Sequence, residues 1–457
     1  MTRPVAVVAG AVAIVITVAL AVPSGSPAGP PDRHDAVLPH RGAAGEKLVH
    51  HGDWLQRRLA DATAGEIVDV PAGEHEGPFV IDTTVHLRGL GHAILRGNGR
   101  THVISVRAAN VIIEGLDIRG SGMRLEDDHA AIQVLAPGVR ILRNHISESL
   151  HGVYVRGADN VHVEGNTIVG QTVTAAAADP AGGGSPIDDV DAHHMHVGQD
   201  RRGNGLHFWR STGHTILGNV VRDARDGVYF SFVDHSLVRD NDIANVRYGL
   251  HYMYSDDNRF EGNIFRESAA GAALMYSTGI TLEDNVFAAN RGHRAYGLLM
   301  HTVERTTVTR NRMEGNTVGV FVELGAANTF TDNRITGNHV GLHITDGSEA
   351  NVFTGNLFAG NLHTVETEGA NRANRWALDG RGNYWQGAHA LDLDADGIGD
   401  LPHRELDLFG RLRRPFPAIG LLAGSPGDRL LRFVHARLAL PGVPGIVDPA
   451  PLLKAVH

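Results

Sequence analysis

The chain has 457 residues, 42% of them hydrophobic, enough for one large core or two smaller ones. It has no cysteine, which excludes disulfides, zinc–thiolate and iron–sulfur centres, thiol catalysis and a lipid anchor on an N-terminal cysteine. Its 41 basic residues against 51 acidic ones give a net charge of -10, which argues against binding along a nucleic-acid backbone, and its 28 histidines are the obvious ligands for a soft or borderline metal.

Residues 1–22 carry Arg3 and then an uninterrupted apolar run from Val5 to Val22, followed by a Ser/Gly/Pro-rich stretch. This reads as an export signal with small residues, Ala19 and Ala21, that permit cleavage, or as an uncleaved N-terminal anchor. In both cases the remainder lies outside the cytoplasm. Residues 23–50 read as a linker and 51–78 as an N-terminal cap, with a short amphipathic helix over Trp54–Ala60.

The body is a repeat. A glycine opens a run of alternating apolar residues at Gly152, Gly205, Gly227, Gly249, Gly271, Gly297, Gly319 and Gly341, with spacings of 53, 22, 22, 22, 26, 22 and 22. An asparagine precedes an apolar residue by two positions at Asn144, Asn166, Asn219, Asn241, Asn263, Asn285, Asn311, Asn333 and Asn356, and it keeps the same period with the same two insertions. A 22-residue unit with period-2 alternation and no helical pattern predicts an all-β fold, a right-handed parallel β-helix over residues 79–403. The asparagines should then stack into a ladder while tolerating left-handed backbone, and the glycines should supply a second sharp turn.

Alternation sorts side chains into columns, because equivalent residues of a parallel solenoid sit above one another. The first and third residues after each glycine, such as Leu206 with Phe208 and Leu250 with Tyr252, make a credible core. The second positions then face outward and read Tyr154, His207, Tyr229, His251, Ala273, Leu299, Phe321 and His343; the fourth read Arg156, Trp209, Ser231, Met253, Met275, His301, Glu323 and Thr345. Met253, Met275 and His301 should therefore stack on successive coils with His251 beside them. Thioether and imidazole groups without thiolates suit Cu(I). The alternative for this face, with His207, Trp209, Tyr229, Phe321 and Glu323, is a groove whose side chains pack on one another or on a sugar.

Two further places carry ligand-type residues. The longer insertion, residues 172–203, contains His193, His194, Met195 and His196, which could pick up a soft metal or simply be a solvated loop. Asp392-Leu-Asp-Ala-Asp-Gly-Ile-Gly-Asp400 places Asp392, Asp394, Asp396 and Asp400 as in the front of a calcium loop, with Gly397 at the bend. The bidentate glutamate of such a loop is replaced by His403, so an acidic turn closing the solenoid is the competing reading.

The runs Arg247-Tyr-Gly-Leu-His-Tyr-Met-Tyr-Ser255, Ala273-Leu-Met-Tyr-Ser277, Tyr296-Gly-Leu-Leu-Met300 and Gly382-Asn-Tyr-Trp-Gln-Gly387, together with the Asp392–Asp400 stretch, resemble the NosD family. The resemblance implies an extracytoplasmic β-helix protein needed to mature nitrous oxide reductase, a copper enzyme. It further implies an ABC transporter as partner (an ATPase of the NosF type and a permease of the NosY type), a copper chaperone of the NosL type, and the apo reductase as client. By the same resemblance residues 404–457 could dock on the permease, or could be a tail packed on the last coil. Many β-helices are polysaccharide lyases, hydrolases or epimerases, and the fold alone does not separate them from a copper carrier. Such enzymes need acid and base groups along a groove, whereas these columns favour His, Met and Tyr, with Glu323 their one acid.

Overall fold

A computed structural model describes residues 53–171, 202–292, 294–367, 373–388, 391–406 and 445–455, with a few positions between 425 and 434. The export segment, the linker and the His193–Met195–His196 loop lie outside the described residues. So does most of the tail.

The chain winds into coils of three short strands each. Strands stack coil on coil into three parallel sheets of 12, 13 and 12 strands among the described residues. The register is the one the repeat dictates: Tyr229 pairs with His251, and Met253 with Met275. The side chains that alternate inward are apolar at every coil, so the interior becomes columns of like residues. Phe265 stacks on Phe287 at 5.4 Å and 14°, and Phe330 on Phe353 at 4.7 Å and 10°, all fully buried. Burying such rings is what drives a chain with so little helix to fold.

The asparagine ladder runs through one turn of each coil from Asn144 to Asn383. Each Nδ2 donates to the Oδ1 of the next asparagine, as from Asn241 to Asn263 and from Asn263 to Asn285, both 2.9 Å. The same Oδ1 atoms accept the backbone N–H of the asparagine before, which satisfies buried groups that no strand partner reaches. The ladder asparagines do not adopt the left-handed conformation. The residue in front of each does, as at Arg143, Asp240 and Asp284 with φ of 51°, 57° and 56°. The bend precedes the asparagine so that its amide can point along the rod.

The repeat glycines have a different task from the one their spacing suggests. All but Gly205, which directly precedes its strand, lie inside strands with ordinary φ, and they supply close approach rather than a turn. A Cβ on Gly271 would sit 2.5 Å from the carbonyl oxygen of Gly297 and 2.9 Å from the Phe287 ring. Gly227, Gly249, Gly297 and Gly319 show the same conflict with the next coil.

Both ends of the solenoid differ from the predicted bounds. At the front the first coil begins with the strands Glu66–Val70 and Gly73–Glu76, ahead of Phe79, because these pair in register with Val85–Gly89 and Ala93–Arg96 without carrying either repeat mark. The helix Trp54–Ala60 covers that coil with Leu55 and Leu59 buried. At the back the last parallel strand is Tyr384–Trp385, and His403–Leu406 pairs antiparallel with Gly445–Asp448. Within the predicted tail, Gly445–Asp448 therefore packs back on the rod. Asp448 is buried and ends the ladder: its Oδ2 accepts from the Asn383 backbone N–H at 2.7 Å and from Trp385 Nε1 at 2.8 Å.

Candidate functional site

The third sheet carries the longest strands, Asp226–Asp234, Ala270–Thr278 and Tyr296–Glu304, with Tyr248–Met253 and Val318–Glu323 between and after them. On its outer side Ser231, Met253, Met275, His301 and Glu323 pair in one continuous register, as do His207, Tyr229, His251, Ala273, Leu299, Phe321 and His343. Met253, Met275 and His301 are half-buried and face away from the core, whose neighbouring residues Tyr252, Leu274 and Met300 are fully buried. Coils repeat at about 4.8 Å, so two flexible thioethers and an imidazole stand on successive steps of one face.

His301 is held at both ring nitrogens. Nδ1 lies 2.8 Å from Glu323 Oε2, and Nε2 lies 3.2 Å from the Tyr276 hydroxyl. A carboxylate can only accept here, so Nδ1 carries the proton and the Nε2 lone pair points to the tyrosine. Tyr276 belongs to an exposed aromatic ladder, Phe232, Tyr254 and Tyr276, whose rings stack at 5.3 and 5.1 Å with interplanar angles of 12° and 11°. All three have φ between 49° and 56°, an uncommon conformation for bulky side chains, so this edge beside the methionines holds strained backbone.

His251 stands on the same strand as Met253 but in the other column, and its nearest polar partner is Asp226 rather than a methionine. Its Nδ1 lies 2.9 Å from Asp226 Oδ2, while Arg247 grips both oxygens of that carboxylate at 2.8 and 2.6 Å. Burial works against ionisation of Asp226; the charges and hydrogen bonds of His251 and Arg247 overcome it and hold the carboxyl well below its usual range. The column continues as interleaved rings, with His207 4.5 Å from Tyr229 and Tyr229 4.9 Å from His251. Burial, helped by the nearby His151, pushes His207 down to about 3, so that imidazole is neutral at physiological pH. Burial also raises the Tyr229 hydroxyl above its ordinary value.

The rest of the predicted groove is already packed. Trp209 is sandwiched by Arg156 and Arg210 at 5.2 and 4.7 Å, and Phe321 packs on Tyr296 and His343 at 5.2 and 4.9 Å. Four outward positions are buried after all, Tyr154 and Ala273 in one column and Ser231 and Thr345 in the other. Tyr154 is covered by the rings of His151 and His207, and the small Ala273 lies between His251 and Leu299.

Near the end of the rod Asp392, Asp394 and Asp400 bring carboxylate oxygens within 4.8 Å of one another, while Asp396 turns away and accepts the Ile398 N–H at 2.7 Å. His403 stacks on Trp385 at 5.1 Å, its Nε2 lies 3.3 Å from Glu405 Oε2, and it does not join the aspartate cluster.

Alternation missed a third outward column, the residue in front of each glycine: Asp226, Tyr248, Ala270, Tyr296, Val318 and Val340 stack in register. Its signal was the pair of Gly-preceding tyrosines. Asp128, His151, Arg202 and Arg247 were missed as well, since they stand at strand ends and bends outside the two columns that alternation defines.

The chain matches the family model described as periplasmic copper-binding protein (NosD) over residues 188–390. It is 33% identical over 402 residues to the "Probable ABC transporter binding protein NosD" of Stutzerimonas stutzeri, covering 84% of this chain and 86% of that protein. It is 34% identical over 399 residues to the protein of the same name from Pseudomonas aeruginosa, with 84% and 87% covered. Among solved structures, a mannuronic acid-specific family 6 polysaccharide lyase from human gut microbiota superposes with a TM-score of 0.48 at 14% identity, over 73% of this chain and 87% of that one; a likeness of that order carries no chemistry with it. With such identity over most of both chains, this protein belongs to the NosD family.

Proposed function

We propose that the protein is an extracytoplasmic copper-handling factor that takes up Cu(I) and passes it on, in concert with an ABC transporter, for assembly of the metal centres of nitrous oxide reductase. The observation that carries this reading is the register of Met253, Met275 and His301 on one outward face, with Glu323 fixing the His301 tautomer. Copper is cargo here. Thioethers are neutral, soft ligands that need lose no proton, and His301 offers a lone pair at Nε2 once the Tyr276 hydroxyl gives way. A half-exposed set of neutral ligands on a rigid face suits a metal that must leave again. His251 takes part from the side, as an imidazole oriented by Asp226. The chain acts as a carrier rather than a catalyst in this reading, because Glu323 is engaged by His301 and Asp226 by Arg247 and His251. Residues 1–22 would place it outside the cytoplasm. A copper chaperone and the transporter would be its partners upstream and at the membrane.

The test is a Cu(I) titration of the mature protein under reducing conditions against a chromophoric Cu(I) chelator. It is repeated with Met253, Met275 and His301 replaced by alanine, and separately with His193, His194, Met195 and His196 replaced. Loss of the tightest equivalent in the first variant, with an unchanged far-UV spectrum, supports the column. Unchanged uptake there eliminates it. The Asp392–Asp394–Asp400 group is proposed as a calcium position, checked by equilibrium dialysis with and without Asp394→Ala.

A further inference from the structure

Beside the copper column, on the side of the earlier coils, lies a cleft of about 340 Å³ walled by His151, Arg202, Asn204, His207 and Tyr229, with Asp128 at its edge. Arg225, Asp226, Arg247 and His251 also line it. Among the described residues its charged lining is Arg202, Arg225 and Arg247 with Asp128 and Asp226, and Asp226 is fully engaged by Arg247 and His251.

Several buried polar atoms in this wall have no hydrogen-bond partner. His151 accepts the Asn204 backbone N–H at Nδ1, 2.9 Å, so its own proton sits on Nε2. That N–H is buried with no partner at hydrogen-bond distance, and it faces the Asp128 carboxylate 3.8 Å away, whose pKa it lowers. The tautomer makes His151 a fixed donor and removes it from consideration as a metal ligand. Arg202 donates to the Asp223 carbonyl through Nη1 at 2.9 Å, yet its Nε–H is buried without a partner. Asn204 Oδ1 is a buried acceptor in the same state. Buried polar atoms are costly to leave unmatched, and unmatched donors and an acceptor on one cleft wall describe a ligand by its complement. His207, kept neutral by burial, adds a hydrogen-bonding group without adding charge.

We propose that this cleft binds a small hydroxylated carboxylate, of the size of a single sugar acid, with its carboxylate on the His151 and Arg202 N–H donors and a hydroxyl on Asn204 Oδ1. A charge-assisted contact to the unmatched Nε–H of the Arg202 guanidinium supplies the preference for carboxylate over a neutral sugar. A volume near the low end for small-molecule sites limits the ligand to about one ring or an open-chain hydroxy acid. The site shares no proposed ligand residue with the methionine column except the neighbouring His251, and it stands or falls without copper.

The measurement is isothermal titration calorimetry of the copper-free mature protein with D-glucuronate, L-tartrate and D-glucose. Saturable binding of glucuronate or tartrate, at least about tenfold tighter than glucose, is expected. Preference between the two acids identifies the source as a ring sugar or an open-chain acid. Arg202→Ala should weaken the bound acid roughly tenfold, while Leu324→Ala, exposed and distant from the cleft wall, leaves it unchanged. His151→Gln is a second probe, and circular dichroism checks that each variant is folded. Absence of saturable binding by both acids up to roughly 10 mM, glucose bound as tightly as they are, or indifference of a folded Arg202→Ala protein would overturn the proposal.

Discussion

Replacing Asn263 by alanine tests whether the polar ladder, rather than the apolar stack alone, holds the coil of Met253 in register with that of Met275. Asn263 is fully buried between those coils. Its Oδ1 accepts from the Asn241 backbone N–H at 3.1 Å and from Asn241 Nδ2 at 2.9 Å; its Nδ2 donates to the Val238 carbonyl and to Asn285 Oδ1, each at 2.9 Å. Asn241 Nδ2 keeps two carbonyl acceptors, Ile216 and Arg239, and Asn285 Oδ1 keeps the Asn263 N–H. The groups deprived are therefore the Asn241 N–H and the Val238 carbonyl, inside a buried turn. At about 1–3 kcal/mol for each of these two buried groups, the loss should be about 2–6 kcal/mol. The assay is urea unfolding followed by far-UV circular dichroism. Asn263→Asp is the control: it retains the acceptor but sets a carboxylate oxygen against Val238 O and Asn285 Oδ1. Burial would raise that aspartate's folded-state pKa above its unfolded value, so its stability contribution is present at low pH and is lost as pH rises through the folded pKa. At neutral pH it should be worse than alanine, and it should recover towards pH 4. A loss under about 0.5 kcal/mol for alanine, or an aspartate variant insensitive to pH, would refute the role assigned to the ladder.

Glu323→Ala should weaken Cu(I) binding by roughly tenfold, since the His301 tautomer is no longer set by a carboxylate; chelator competition reads this directly. Tyr276→Phe should leave the fold intact and strengthen Cu(I) binding a few-fold, because a hydroxyl that competes for His301 Nε2 is removed. His207, His214 and His102 are held by burial at about 3, 3 and 4, below the ordinary histidine value, so each binds its proton more readily when unfolded. Their contribution to stability is complete above about pH 6.5 and is lost as pH falls, at up to about 1.4 kcal/mol per pH unit for each group; His207→Gln should flatten the acid limb of the denaturation profile. Gly271→Ala should cost about 1–3 kcal/mol in urea unfolding through the 2.5 Å conflict with the Gly297 carbonyl, whereas Gly427→Ala, whose Cβ would meet only Ser425 Oγ at 3.7 Å, should cost less.

The repeat marks fixed more about this molecule than composition did. Two marks of equal period predicted the parallel coils, the core columns headed by Leu250 and Tyr252, and the alignment of Met253, Met275 and His301, because a solenoid turns spacing in sequence directly into neighbourhood in space. The purpose of the marks was harder to read. Spacing cannot tell a glycine that bends the chain from one that admits a neighbour's carbonyl, and Gly271 is of the second kind. Hydrogen bonding was also hidden. That His301 is oriented by Glu323 one coil later could be argued from the column, but the Tyr276 hydroxyl on its other nitrogen depends on a left-handed backbone that no alternation pattern announces. The cleft beside the column was invisible for a related reason: His151, Arg202 and Asn204 meet only through a 53-residue separation, spanning the insertion, that interrupts the period.

Every amide in the asparagine ladder points the same way, from Asn144 through Asn383, donating forward and accepting from behind. Their dipoles therefore add along the rod, as peptide dipoles add along a helix, but with the positive end at the last coil. Asp448 meets that end with a carboxylate that accepts from the Asn383 and Ala450 backbone N–H groups, the Asn383 amide and the Trp385 indole. The fold is thus polarised from end to end. A fixed anion terminates it where the accumulated partial charge is greatest.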